Sequence, residues 1–145
     1  MNASTNYAAL LADAIAINGT VTAASAAVGA GNFTYNNQTG EMNSLGKTAT
    51  VMQMIFPEYS IDISNLGGIK ANSISMVGNT LGLGVRNKGT ITANAALAMT
   101  SYGSLVNEGS INTNGLMAKM ASLGDMKNTG TINSTAYVTQ LSLSL

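Results

Sequence analysis

Six carboxylates, Asp13, Glu41, Glu58, Asp62, Glu108 and Asp125, are the side chains through which this 145-residue chain could run acid–base or hydrolytic chemistry. Such chemistry needs two carboxyl groups held close together, one to give a proton and one to take it or to act as nucleophile. Here the six are dispersed, and no two share a motif that would pair them at a set spacing. The chain contains no His and no Cys, so the commonest proton-transfer group and every thiolate nucleophile or metal ligand are missing. A repeated Gly-Gly-x-Gly-x-Asp calcium pattern is also absent. These residue types point to a chain that is not an enzyme and that takes no cofactor and no metal.

What the sequence does repeat is a short phrase rich in amides. It reads Asn87-Lys88-Gly89-Thr90-Ile91, Asn107-Glu108-Gly109-Ser110-Ile111 and Asn128-Thr129-Gly130-Thr131-Ile132, at intervals of 20 and 21 residues. Gly accepts positive φ without steric cost and Asn bonds its own backbone, so each Asn-x-Gly predicts a corner. The residues that follow, 90–93, 110–113 and 131–134, set one Ile among small polar neighbours, the two-residue period of a half-buried strand. Further alternations lie between the phrases, at Ile74-Ser75-Met76-Val77, Ala96-Leu97-Ala98-Met99 and Leu116-Met117-Ala118-Lys119-Met120, with Gly78, Gly103 and Gly124 after them. Of the nine methionines, Met76, Met99, Met117, Met120 and Met126 read as adaptable core fillers.

A repeat of about twenty residues means that each unit buries its apolar side only against its neighbours. The expected fold is all-β, a right-handed parallel β-helix of about 20 residues per coil with isoleucines 91, 111 and 132 in one vertical stripe. Seven coils would make a rod roughly 30 Å long. The 16 glycines and the abundance of Thr, Ser, Asn, Val and Ile oppose helices, and only Tyr7 to Ile17 has a composition that tolerates one. Residues 29–58 hold both Phe residues and the single Pro and break the repeat, which predicts a loop or hairpin excursion. Charged residues make up 8%, six of each sign, so no basic face exists for nucleic acid. The apolar run near the start lacks a basic leader and is interrupted by Asp13, so it is not a signal peptide, and an export signal is expected upstream. Five Asn-x-Ser/Thr sequences, at Asn2, Asn18, Asn32, Asn37 and Asn133, read as products of composition.

The stretch from Tyr59 to Ala93 resembles the filamentous-haemagglutinin family, the large exoproteins of Gram-negative two-partner secretion. Leu66-Gly67-Gly68-Ile69-Lys70-Ala71 is similar to the family's Leu-Gly-Gly-x-x-Ala block. Gly82-Leu83-Gly84-Val85-Arg86-Asn87-Lys88-Gly89 is similar to its Gly-Val-Gly-Val-Arg-Asn-x-Gly block, with Leu83 in place of the first Val. Ile91-Thr92-Ala93 follows as the family's Ile-x-Ala strand, and Tyr7 to Gly19 resembles an upstream family segment. The early Asn-Pro-Asn-Gly-Ile type block is absent.

That resemblance implies that residues 1–93 are the later part of a secretion-type β-helix domain and that 94–145 are haemagglutinin-type repeats continuous with it. It implies a secreted or cell-surface adhesin segment, partnered by an outer-membrane transporter and, through the parent protein, by a host-cell surface or target-cell receptor. A rival reading is a self-assembling structural β-helix that associates end to end into filaments, suggested by the uncapped strand Gln140-Leu-Ser-Leu-Ser-Leu145.

Overall fold

The computed structural model describes residues 2–36, 38–39, 41–45, 47–48, 59–135 and 137–143. Its strands wind into a parallel β-solenoid of about six turns with about 21 residues per turn, and no helix occurs among the described residues. The first coil is β1 (Asn2–Ala12) and β2 (Ile15–Ile17). The second begins with β3 (Thr20–Ala30), leaves the rod through β4 (Phe33–Tyr35), β5 (Met42–Ser44) and β6 (Lys47–Thr48), and returns with β7 (Tyr59–Ile63). The third holds β8 (Gly68–Gly78), β9 (Thr80–Leu81) and β10 (Gly84–Asn87); the fourth holds β11 (Thr90–Ser101) and β12 (Leu105–Asn107). The fifth is β13 (Ser110–Thr113), β14 (Met117–Ser122) and β15 (Met126–Asn128), and the sixth is β16 (Thr131–Ser134) and β17 (Tyr137–Ser142).

Two parallel sheets run the length of the rod. One is β1-β3-β8-β11, continued by β13-β16 and β14-β17; the other is β2-β7-β10-β12-β15. The interior is built from columns of like residues one coil apart. Val21, Ile69, Ile91, Ile111 and Ile132 pair in register, as do Val28, Met76, Met99 and Met120 on the same sheet. Ile15, Ile61, Val85, Leu105 and Met126 form the opposing column. Stacking like on like at about 4.8 Å keeps each side chain in contact with its twin above and below, so one coil's packing solution serves the next.

The structure departs from the sequence expectations in the number of coils and in one methionine, and it adds detail at the start of the chain and in the excursion. The rod has about six coils rather than seven because the excursion consumes a coil's length of chain. Residues 7–12 and 15–17, whose composition would tolerate a helix, are strand: Ala8, Ala9 and Leu10 pair with Ala26, Ala27 and Val28. Tertiary packing here overrides the helix propensity of Ala and Leu. The excursion contains an antiparallel hairpin of β4 and β5, and β6 adds beside β9; residues 49–58, including Phe56 and Pro57, lie outside the described residues. Met76, Met99 and Met120 are buried and Met126 packs against the core, but Met117 points outward and is 52% exposed.

Candidate functional site: the Asn-x-Gly corner

The three phrases meet at one corner of the rod. Asn87, Asn107 and Asn128 end β10, β12 and β15 and pair in register. Their side chains turn inward, and Asn87 and Asn107 are buried among aliphatic neighbours. A buried primary amide is costly unless each donor and acceptor is used. Here they are used by one another: Asn87 Nδ2 donates to Asn107 Oδ1 at 2.8 Å, and Asn107 Nδ2 donates to Asn128 Oδ1 at 2.8 Å. The same nitrogens reach the Gly89 and Gly109 carbonyls at 3.3 Å, and the Gly89 N–H donates to Asn87 Oδ1 at 3.1 Å. The ladder begins at Asn87 because its partner in the coil below is Ile63.

The backbone repeats the same lock. The N–H groups of Glu108 and Gly109 both donate to the Asn87 carbonyl, at 2.7 and 3.0 Å, and those of Thr129 and Gly130 both donate to the Asn107 carbonyl. Thr90, Ser110 and Thr131 donate to the carbonyls of Gly67, Gly89 and Gly109. The second and third corners are therefore tied to the one beneath through both main chain and side chain, and the first is tied to the coil beneath it through main chain.

Glycine is needed at this corner for a reason different from the one the sequence suggested. Among the described residues only Gly31 and Gly82 have positive φ, so Gly89, Gly109 and Gly130 do not occupy the left-handed region. The requirement is space: a Cβ on Gly109 would lie 2.1 Å from the Gly89 carbonyl oxygen, one on Gly130 2.0 Å from that of Gly109, and one on Gly89 2.0 Å from that of Gly67. The corners approach backbone to backbone, and any side chain would push the coils apart. Ile91 and Ile111, two residues further on, are fully buried, and Ile132 is half-buried in the last coil.

The residues of the two resemblance blocks fall on the coils just below. Leu66 stands on the turn before β8 and is 80% exposed, while Gly67 and Gly68 are buried with backbone carbonyls against them. Gly84 leaves room for the Tyr59 ring, and Val85 is in the core. Arg86 faces outward and forms a two-pronged pair with Asp62 of the coil below, Nε to Oδ1 at 3.0 Å and NH2 to Oδ2 at 2.7 Å. Its guanidinium lies 4.3 Å from the centroid of the Tyr59 ring. The Asp62 hydrogen bonds hold the Arg86 guanidinium above its ordinary pKa. On the same face Lys88 Nζ and Glu108 Oε2 are 3.9 Å apart.

Sequence reasoning took Asp62 as one of six scattered acids and missed its partner. The signal was present: once Ile63 and Asn87 are aligned, the residues before them are Asp62 and Arg86. It also missed Asn79, whose amide bonds the Asn32 backbone twice, at 2.8 and 2.7 Å, and anchors the excursion where Gly31 takes φ of 124°. Asp13, Glu41, Glu108 and Asp125 are not brought together, Glu58 lies outside the described residues, and no cluster of three His, Cys, Asp or Glu occurs among those described. The inner face of the corner offers amide and backbone groups for hydrogen bonding.

No protein-family model matches the chain. It is 41% identical over 58 residues to the toxin CdiA of Yersinia pestis, covering 39% of this chain and 2% of that protein. It is 38% identical over 104 residues to the tRNA nuclease CdiA-2 of Burkholderia pseudomallei strain 1026b, covering 71% of this chain and 3% of that protein. The chain thus spans only a few per cent of the length of these curated relatives. The crystal structure of a filamentous hemagglutinin secretion domain matches the fold with a TM-score of 0.55 at 20% identity, over 93% of this chain and 43% of that one. Similar in sequence to two long CdiA proteins and in fold to a filamentous hemagglutinin secretion domain, the chain is a β-helical segment of the filamentous-haemagglutinin type of two-partner-secretion exoprotein.

Proposed function

We propose that this chain is a non-enzymatic folding and export module of a secreted or surface-displayed adhesin or toxin stalk. Residues 1–93 serve as the later part of its secretion domain, and 94–145 as the first haemagglutinin-type repeats. Its partner is the outer-membrane transporter of a two-partner system; host or target-cell receptors are met by other parts of the parent protein, and the export signal lies upstream. One observation carries this reading: each Asn-x-Gly corner is bonded to the coil before it, through Lys88 N–H on the Ile63 carbonyl at the first and through two consecutive N–H groups on one Asn carbonyl at the second and third. A chain emerging in sequence order finds its acceptors already in place, so each coil that folds outside the membrane opposes return of the chain. The matches to the named toxin and nuclease cover 2% and 3% of those proteins, and the dispersal of the acids along this chain supports the non-enzymatic reading.

The test replaces the matching segment of a filamentous-haemagglutinin-type exoprotein with this chain and measures transporter-dependent appearance in the medium. Export is expected with the natural sequence and is expected to fail for Gly109→Val, which cannot close its corner. Undiminished export of that variant would end the proposal, and so would cleavage of tRNA or polysaccharide by the purified chain.

A second reading, end-to-end self-association into filaments, is favoured by the exposed apolar side chains of the last coil, Val138, Leu141 and Leu143. Electron microscopy decides it: micrometre fibres support assembly, and discrete short particles support the export module.

A further inference from the structure

The chain contains two Asn-Gly pairs, Asn18-Gly19 and Asn114-Gly115, and the fold treats them oppositely. An Asn followed by Gly can cyclise, because Gly adds no side chain to hinder attack by its own backbone nitrogen; what decides the outcome in a folded protein is whether the corner is free to bend into the ring geometry. At Asn114-Gly115 it is not. The Asn114 N–H donates to the Ala93 carbonyl at 3.1 Å and the Leu116 N–H to the Ala95 carbonyl at 2.9 Å, while a Cβ on Gly115 would lie within 2 Å of the Ala95 carbonyl oxygen. That pair lies flat on the coil below. At Asn18-Gly19 both residues are exposed, and nothing lies within 4 Å of a Cβ placed on Gly19. No hydrogen bond holds the Asn18 amide or the Gly19 N–H among the described residues. The ladder amides Asn87 and Asn107 are buried, bonded, and followed by Lys88 and Glu108.

We propose that Asn18 is a self-modifying site, which deamidates through a succinimide to aspartate and isoaspartate while the other asparagines of the rod are preserved. The Gly19 nitrogen attacks Asn18 Cγ, a new N–C bond forms, the C–NH2 bond breaks, and ammonia leaves with the proton that Gly19 gives up. Water then opens the ring at one carbonyl to give Asp, or at the other to give isoaspartate, whose main chain runs through Cβ. No oxidant or reductant enters, and the only reagent is water. Both products add a negative charge to a chain of zero net charge, and isoaspartate lengthens the single link between the first and second coils. That link carries the bonds Ser64 N–H to Ile17 O and Gly68 N–H to Gly19 O, at 3.0 and 3.2 Å, so conversion loosens the first coil from the rod.

The experiment incubates the folded 145-residue chain in mildly alkaline buffer and follows both Asn-Gly peptides by mass spectrometry with electron-transfer fragmentation, which separates Asp from isoaspartate. The Asn18 peptide is expected to convert with isoaspartate as one product, and the Asn114 peptide to stay intact. In denaturant both are expected to convert. Gly19→Ala, which has open space for its methyl group, is expected to fold as the parent does and to lose the Asn18 conversion. An unconverted Asn18, equal conversion of Asn114 in the folded chain, protection of Asn114 that persists in denaturant, or undiminished conversion in Gly19→Ala would each overturn the proposal.

Discussion

Asn87 and Arg86 are neighbours on one strand and face opposite sides of the same corner, and their two ladders differ in kind. On the inside, three neutral amides bond end to end, Asn87 and Asn107 buried and Asn128 exposed at the last coil, with backbone corners pressed together behind them. On the outside, Arg86 reaches Asp62 and Lys88 approaches Glu108, partly in water. Inside, an unmade bond cannot be replaced by solvent, so removal of one partner carries the full desolvation cost of the other. Outside, water and salt replace what is lost, and exposed pairs contribute little. The same spacing of one coil therefore yields a fixed alignment on one side and an adjustable one on the other.

The sharpest way to break that contrast is at the glycines. Gly109→Val should cost more than about 4 kcal/mol, the range of backbone displacement and overpacking together, and should be read by urea unfolding. Gly109→Asn tests the cause: Asn tolerates positive φ but carries a Cβ, and because the constraint is space it should be destabilising as well. Recovery of stability by Asn would show that the corner is a conformational requirement after all. Ile111→Ala, in the centre of the aliphatic column, is expected to cost about 3 to 4 kcal/mol, transfer and cavity terms combined. A cost for Ile111→Ala no larger than that of a surface change would mean that the column is not continuous.

The amide ladder is the next test. Asn107→Ala removes the bonds to both Asn87 and Asn128 and should cost about 1 to 3 kcal/mol, because the buried Asn87 amide loses its acceptor while the exposed Asn128 can turn to water. Replacing Asn87 and Asn107 together by Leu should cost less than the sum of the two single replacements, since no orphan amide is left between them. Strict additivity in that cycle would show that the side chains do not act as one ladder.

How much of this was readable beforehand follows from what a period can encode. The phrase at 87, 107 and 128 fixed the solenoid, the parallel stacking and the isoleucine stripe, because each depends only on residues recurring one coil apart. The role of the glycines was not readable, since positive φ and close approach exclude a side chain equally well and a sequence cannot separate them. The strand at 7–17 was obscured because its Ala and Leu suit a helix until the matching Ala of β3 lies beside them. The Asp62–Arg86 pair was hidden because its two residues lie 24 positions apart, off the period of 20 and 21, and because the coil of Asp62 ends on Ile63 instead of an Asn that would have marked the register.

That pair gives the smallest expected effect. Arg86→Ala should lower stability by less than about 1 kcal/mol, because a partly exposed ion pair with one aromatic contact is screened by solvent, and Asp62→Asn should match it. Lys88→Ala should leave the urea midpoint unchanged, given that its carboxylate partner is 3.9 Å away and both side chains are well exposed. Added salt should weaken the Arg86 contribution and leave the Asn107 contribution intact, because screening acts on charges in water and not on amides buried in the rod. If salt altered both equally, the two faces of the corner would not be electrostatically distinct, and the inner ladder would have to be wet.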